Sequence, residues 1–323
     1  MNSNRFSQMN DAPFTRRAAL QTAGAVGLTG ALASQGIRLA SAQEATPDPI
    51  DLPDLTIVGV EYAFEMPASV EAGWTHVILD NQGEMDHHAM FLRPNGDATV
   101  EDVQAALEQG GFGAALAVAT SVGGPNVGAG HQASVVMNLE AGQYVLICAV
   151  PNEEGVPHFA LGMQAVLEVT EGSGEGTPPP PEADATVGLV EMAFEGLPTD
   201  ATAGTHIWEV SNQGSQAHEL VILELMPGVT IDQAMQIFSG PPPASPAASP
   251  VVDQSVATPA AGPPPGGPPF AAIGGVAVLS PGQSNHAVLD LAVGDYIAIC
   301  FVPDPETGAP HFALGMIAGF TVT

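Results

Sequence analysis

"CAVPNEEGVPHFALGM" (residues 148–163) puts a thiol, an imidazole and a thioether on one short segment, directly after the strand-like run "QYVLI". A near-copy, "CFVPDPETGAPHFALGM" (300–316), lies at the far end of the chain. The sequence holds 2 cysteines in 323 residues, and each of these two segments begins with one.

The repetition extends upstream. "VEYAFEMP" from Val60 matches "VEMAFEGLP" from Val190, and "AGWTHVILDNQGEMDHHAMFL" from Ala72 matches "AGTHIWEVSNQGSQAHELVIL" from Ala203. "LEAGQYVLIC" matches "LAVGDYIAIC" just before each thiol. Blocks repeated in the same order mark a duplicated domain. The alignment superposes Asn81, Gly83 and His87 on Asn212, Gly214 and His218, and Cys148, His158 and Met163 on Cys300, His311 and Met316.

Each copy reads as short strands. "THVILDNQG" and "YVLIC" are rich in β-branched and apolar residues and end in turn signals. Each also holds one helix candidate. "TVEDVQAALEQG" (99–110) offers Thr99 as N-cap with Val100, Val103 and Leu107 on one face; "TIDQAMQIFSG" (230–240) has Thr230 and Gln233 at capping-box spacing, with Ile231, Ala234, Met235 and Phe238 on one face. The expected fold is all-β: two tandem Greek-key β-sandwiches, residues 51–170 and 186–323, each with a short helical insertion. "EGSGEGTPPPPEADA" (171–185) reads as a Gly- and Pro-rich linker, and the Pro-rich stretch 241–269 as an extended surface insertion without a core of its own.

Charge bounds the partners. Five Lys+Arg stand against 35 Asp+Glu, for a formal net charge of −30. There is no lysine, and of Arg5, Arg16, Arg17, Arg38 and Arg93 all but the last lie in the first 42 residues. Such a surface repels phosphate backbones and anionic lipid heads, which argues against nucleic acid and membrane surfaces; a basic protein partner, a high-salt habitat or solubility alone would account for it. Residues 1–42 read as an export signal: the twin arginines Arg16 and Arg17, a weakly apolar stretch, then Ala40-Ser41-Ala42. The motif resembles a twin-arginine signal, with Ala19 where Phe is usual. The apolar stretch is too polar for a membrane anchor. Export to a bacterial periplasm or cell surface follows.

Two thiols in an exported protein ordinarily form a disulfide. The repeat offers another reading. Two imidazoles and one thiolate with a weak axial thioether suit copper in both of its oxidation states. Nine residues separate Cys148 from His158 and four separate His158 from Met163; in the second copy the separations are ten and four. His87 and His218 would supply the remaining nitrogens from another strand.

With an upstream His after "NxG", then Cys, His and Met in the last loop, each copy resembles the cupredoxins, the plastocyanin- and azurin-like blue copper proteins. The resemblance covers both copies. It implies a type 1 copper site at one pole of each sandwich, held by His87, Cys148, His158 and Met163 in the first and by His218, Cys300, His311 and Met316 in the second, hence up to two coppers per chain. The Cys-to-His loop is longer than in plastocyanins or azurins and looks more like that of copper nitrite reductases. The residue after the first His, often Asn or Ser in the family, is His88 in one copy and Glu219 in the other, so His88 rivals His87 as ligand. His76, His131, His206 and His286 have no histidine counterpart and read as ordinary satisfied or exposed polar residues.

The function implied is one-electron transfer with a redox protein partner. Multicopper oxidases and nitrite reductases pass electrons through a His beside the thiolate. Here the neighbours are Ile147 and Ala149, and Ile299 and Phe301. Copper storage or delivery and a metal-free binding module are the other readings.

Overall fold

The alternation of burial along the first long strands sets the architecture. In β1 (Asp54–Val60) and β4 (Gly73–Asn81) every second side chain is buried, so Leu55, Ile57, Thr75, Val77, Leu79 and Asn81 form one inward face. The computed structural model describes residues 50–172, 178–239 and 268–323. The expected export signal, part of the linker and nearly all of the Pro-rich insertion lie outside them.

The first copy comprises β1, β2 (Ala63–Glu65), β3 (Ser69–Glu71), β4, β5 (His87–His88), β6 (Met90–Pro94), α1 (Val100–Val118), β7 (Ala119–Ser121), β8 (Asn126–Val127), β9 (Gln132–Leu139), β10 (Gly142–Ile147) and β11 (Gln164–Thr170). The second comprises β12 (Ala185–Val190), β13 (Ala193–Glu195), β14 (Asp200–Ala201), β15 (Gly204–Asn212), β16 (His218–Leu225), α2 (Ile231–Ser239), β17 (Phe270–Leu279), β18 (Ser284–Leu291), β19 (Gly294–Ile299) and β20 (Ile317–Val322). Each copy is a Greek-key sandwich. In the first, β2-β1-β4-β9 faces β3-β11-β10-β6-β7; in the second, β13-β12-β15-β18 faces β14-β20-β19-β16-β17. Among the described residues no helix is long and apolar enough to cross a membrane.

Both helices begin where their caps predict. Thr99 and Asp102 form a reciprocal capping box, and Thr230 and Gln233 exchange the equivalent bonds. Val100, Val103 and Leu107 are buried as expected, as are Ala234 and Phe238; Ile231 and Met235 are half-buried. The first helix overruns its expected end at Gly110. Gly111 takes φ 67°, a left-handed value open to glycine, and the helix resumes so that Phe112 and Ala115 are buried too.

The two copies are not separate beads. β9 pairs antiparallel with β18, its own counterpart, with Val136 opposite His286 and Ser134 opposite Val288. The pairing merges one sheet of each copy into a continuous eight-stranded sheet. Side chains reinforce it: Asn285 accepts from the Gly124 N–H (2.9 Å) and donates to the Val122 carbonyl (3.0 Å), and the Ser121 hydroxyl donates to the Val278 carbonyl (2.6 Å). One core cluster draws on both copies.

Candidate metal centres

Each site is built where an inward face runs out of apolar residues. Asn81 ends the buried series of β4, and its amide turns the chain. It reaches the carbonyls of Met85 (2.8 Å), Gly128 (3.1 Å) and Val127 (3.3 Å), while its oxygen accepts from Gly83 N–H (3.0 Å). Asn212 does the same for the second copy, donating to Gln216 and Leu279 (both 2.7 Å) and accepting from Gly214 (2.9 Å). The "NxG" element is therefore the brace of the loop that delivers His87 or His218. Glycine is needed there: a Cβ on Gly83 would lie 2.8 Å from His87 Nε2 and 2.3 Å from Glu61 Oε1.

The thiol-bearing loop folds back on itself. Cys148 N–H donates to the Met163 carbonyl (3.2 Å), Phe159 N–H to the Cys148 carbonyl (2.8 Å), and Met163 N–H to the His158 carbonyl (3.0 Å). The second copy repeats all three bonds, at 3.2, 3.0 and 2.9 Å, with Cys300, Phe312, His311 and Met316. Its one extra residue is absorbed in a turn, where Asp304 accepts from the N–H groups of Glu306 and Thr307 in the role that Asn152 plays towards Glu154 and Val156.

These two frames bring the expected residues together. Cys148 Sγ lies 3.8 Å from His87 Nδ1 and 3.5 Å from His158 Nδ1, and the two nitrogens are 3.2 Å apart. In the second copy His218 Nδ1 and His311 Nδ1 are 3.0 Å apart, with Cys300 Sγ 3.5 Å from the latter. All six side chains are fully buried. Each trio could hold a metal ion, its donor atoms lying within 4.8 Å of one another. Metal–imidazole and metal–thiolate bonds of about 2.0 and 2.3 Å, the lengths of zinc sites, would set three trigonal donors roughly 3.5–3.8 Å apart. The donor set and its spacing fit a single borderline-soft ion. Both thiols are free, and no disulfide joins them.

The chain resembles the cupredoxins. No protein-family model and no curated protein matches it. Solved structures do. Auracyanin B is 20% identical, the match covering 45% of this chain and 93% of that one at a TM-score of 0.29. Auracyanin A of Chloroflexus aurantiacus, a "blue" copper protein, is 22% identical over 36% of this chain and 98% of its own, at 0.26. A copper nitrite reductase of Nitrosomonas europaea is 14% identical over 84% and 93%, at 0.23.

Met163 and Met316 are fully buried, each next to the strand that follows its loop. A Cβ on Gly59 would fall 3.3 Å from His87 Cδ2 and 3.7 Å from Met163 Cε, so the thioether methyl and the His87 ring converge over that glycine. Of the rival pair, His87 joins the cluster; the His88 ring nitrogen Nδ1 instead lies 4.0 Å from Glu219. His76 bonds to Asp54 and Ser134, both at 2.9 Å, His206 to the Thr202 carbonyl at 2.7 Å, and His131 is exposed. His286 departs from expectation. It is buried edge-on to Trp74, and its Nδ1 has no hydrogen-bond partner among the described residues.

Burial governs the electrostatics. It pulls His87 and His218 down to about 4, with the neighbouring imidazole adding to the effect, and it lowers His158 and His311. It pushes the Cys148 thiol up to about 12, against the N–H groups of His88 and Val150, and Cys300 well above its ordinary value. Without an ion the clusters are thus neutral: free imidazole nitrogens, ready to ligate, and thiols that must release a proton to a metal.

Sequence reasoning passed over the second layer. Glu61 accepts from the N–H groups of Glu84 and Met85 (the latter at 3.2 Å) and sits 4.0 Å from His87 Nε2; Glu191 likewise accepts from Ser215 and Gln216. Tyr62 and Met192 occupy left-handed turns beside them, at φ 65° and 61°, and the Tyr62 ring stands edge-on to His158 at 5.1 Å. The repetition of "VEYAFE" as "VEMAFE" carried that signal.

Proposed function

We propose that the chain is an exported electron carrier that holds two copper ions in type 1 sites, the first between His87, Cys148, His158 and Met163, the second between His218, Cys300, His311 and Met316. The observation that carries this reading is the pair of buried Nδ1/Nδ1/Sγ trios at single-ion spacing, each followed by a buried methionine. Copper bound there would supply a one-electron couple between Cu(I) and Cu(II), states that this mixed imidazole, thiolate and thioether set accepts with little rearrangement. The protein's residues do the rest. The "NxG" brace and the bonded thiol loop hold the donors before any ion arrives, the apolar surround excludes water, and the N–H of His88 or Glu219 steadies the sulfur, at 3.3 and 3.5 Å. A carrier is favoured over an oxidase or nitrite reductase because Ile147, Ala149, Ile299 and Phe301 flank the thiols and no His relays from either. The acidic surface suits a basic redox partner, and the leader an extracytoplasmic location.

Copper(II) titration of the mature protein tests this. Two ions per chain should bind and give an intense visible thiolate band; Cys148→Ala should remove the first site's contribution and Cys300→Ala the second's. A chain that binds no copper, or that turns over nitrite or oxygen in a thiol-dependent way, refutes the carrier.

A further inference from the structure

The two clusters are joined by a pair of side chains that neither site uses as ligands. The residue after the first ligand histidine is His88 in one copy and Glu219 in the other. His88 N–H donates to Cys148 Sγ at 3.3 Å, and Glu219 N–H to Cys300 Sγ at 3.5 Å. From these two anchored positions the side chains cross the boundary between copies and meet, with His88 Nδ1 4.0 Å from Glu219 Oε2. Both residues are buried, at 7% and 0% exposure, and neither of the facing atoms has a hydrogen-bond partner among the described residues.

The surroundings hold the pair in place. Glu219 Oε1 accepts from the N–H of Phe301, the residue after Cys300, at 3.0 Å. Asn126 lies opposite His88 in the β5–β8 ladder and donates across the boundary to the carbonyl of Leu220, the residue after Glu219, at 3.1 Å. A separation of 4.0 Å exceeds a direct hydrogen bond, and a small side-chain rotation would close it. Two residues thus run the whole way from one sulfur to the other.

We propose that His88 and Glu219 couple the two copper sites, so that an electron received at one passes to the other inside the chain. The inference rests on the carrier reading above. The step balances without an outside reactant. One electron would leave a Cu(I) ion held by one set of residues and enter a Cu(II) ion held by the other; no proton or atom would be transferred. The chain would then store two electrons and could receive one at one site while giving one up from the other. The ends are chemically different: Tyr62 stands against His158, whereas His311 Nε2 is bonded to Gln216 at 3.1 Å.

The test uses the full chain loaded with Cu(II) and carrying Met316→Gln, which would replace the thioether offered to the copper in one site and so separate the two bands and potentials. A pulse of a one-electron reducing radical, at less than one electron per chain, should bleach both bands. A slower phase should then move the electron between them at a rate independent of protein concentration. His88→Ala, His88→Gln or Glu219→Ala in that background should slow this phase several-fold while both bands persist, and Glu219→Gln should restore most of it. If the phase scales with protein concentration, or keeps its rate in the substituted chains, the coupling is refuted and the carrier reading stands. Absence of both bands before the pulse refutes the carrier reading itself.

Discussion

Asn81→Ala in the metal-free protein tests whether the "NxG" brace holds the site. The amide sends two N–H hydrogens towards three carbonyls, those of Met85, Gly128 and Val127, and its oxygen receives Gly83 N–H. At 1% exposure no water reaches it to replace those bonds. Alanine removes every one and leaves at least one donor and one acceptor buried without partners, a loss of about 3 kcal/mol. Asn212 makes three comparable bonds in all, so Asn212→Ala should cost less, about 2 kcal/mol. Against a total stability of about 5–15 kcal/mol, either should be plain in urea unfolding as a lower midpoint at unchanged slope. The same substitution frees the loop that carries His87, so copper titration of Asn81→Ala should weaken or broaden the first site's band and spare the second's. A stability within about 0.5 kcal/mol of wild type, the range of an ordinary surface substitution, would show that the brace is incidental.

In NMR titrations of the metal-free protein, His87 and His218 should protonate near pH 4 rather than at 6.5, and midpoints at 6.5 would contradict their burial. A depressed folded pKa lets the unfolded chain take protons first, so each imidazole should cost up to about 3 kcal/mol of stability as pH falls from 6.5 to 4. Glu219, raised to about 7 by burial, acts in the opposite sense and gains stability as pH falls through that value, which Glu219→Gln should remove. Gly59→Ala should shift the first site's band and leave the second's alone, since the new Cβ would press on His87 Cδ2 at 3.3 Å; identical spectra would separate Gly59 from the site. Unfolding without reductant should expose two titratable thiols per chain, and none would mean a Cys148–Cys300 bridge.

The duplication made the site legible. A single Cys, His or Met in a sequence is ambiguous, but His, Cys, His and Met repeated in one order, with the His-to-Met spacing kept and each Cys after a matched strand, are not. Helix starts were legible because a capping box is local chemistry: Thr99 and Asp102, or Thr230 and Gln233, decide it within four residues. The end of α1 was not. Gly110-Gly111 is a local stop signal, and what overrides it is the tertiary burial of Phe112 and Ala115 beyond it. The shared sheet was illegible for a related reason. β9 and β18 join through backbone N–H and C=O groups, which every strand offers alike, so neither strand's own sequence names the partner that covers its edge. His88 and Glu219 looked like departures from a family pattern because the partner that explains each lies in the other copy.

The geometry of that pairing gives the two departures one cause. β9 and β18 are equivalent strands running antiparallel, flanked by the equivalent strands β4 and β15. That is a local two-fold relation, and a two-fold places equivalent positions near the axis opposite each other. In a symmetric dimer of one copy the residue after His87, or after its counterpart His218, would face itself. Two glutamates there would bring like charges to about 4 Å, a repulsion of about 4 kcal/mol at an effective dielectric of 20, before the cost of burying them. Two histidines would leave a buried boundary with no acceptor charge. Fusing the copies into one chain frees the two positions to differ, and they do so as a base and an acid, His88 and Glu219, 4.0 Å apart. The difference between the copies at this contact is one that a symmetric dimer of a single copy could not carry.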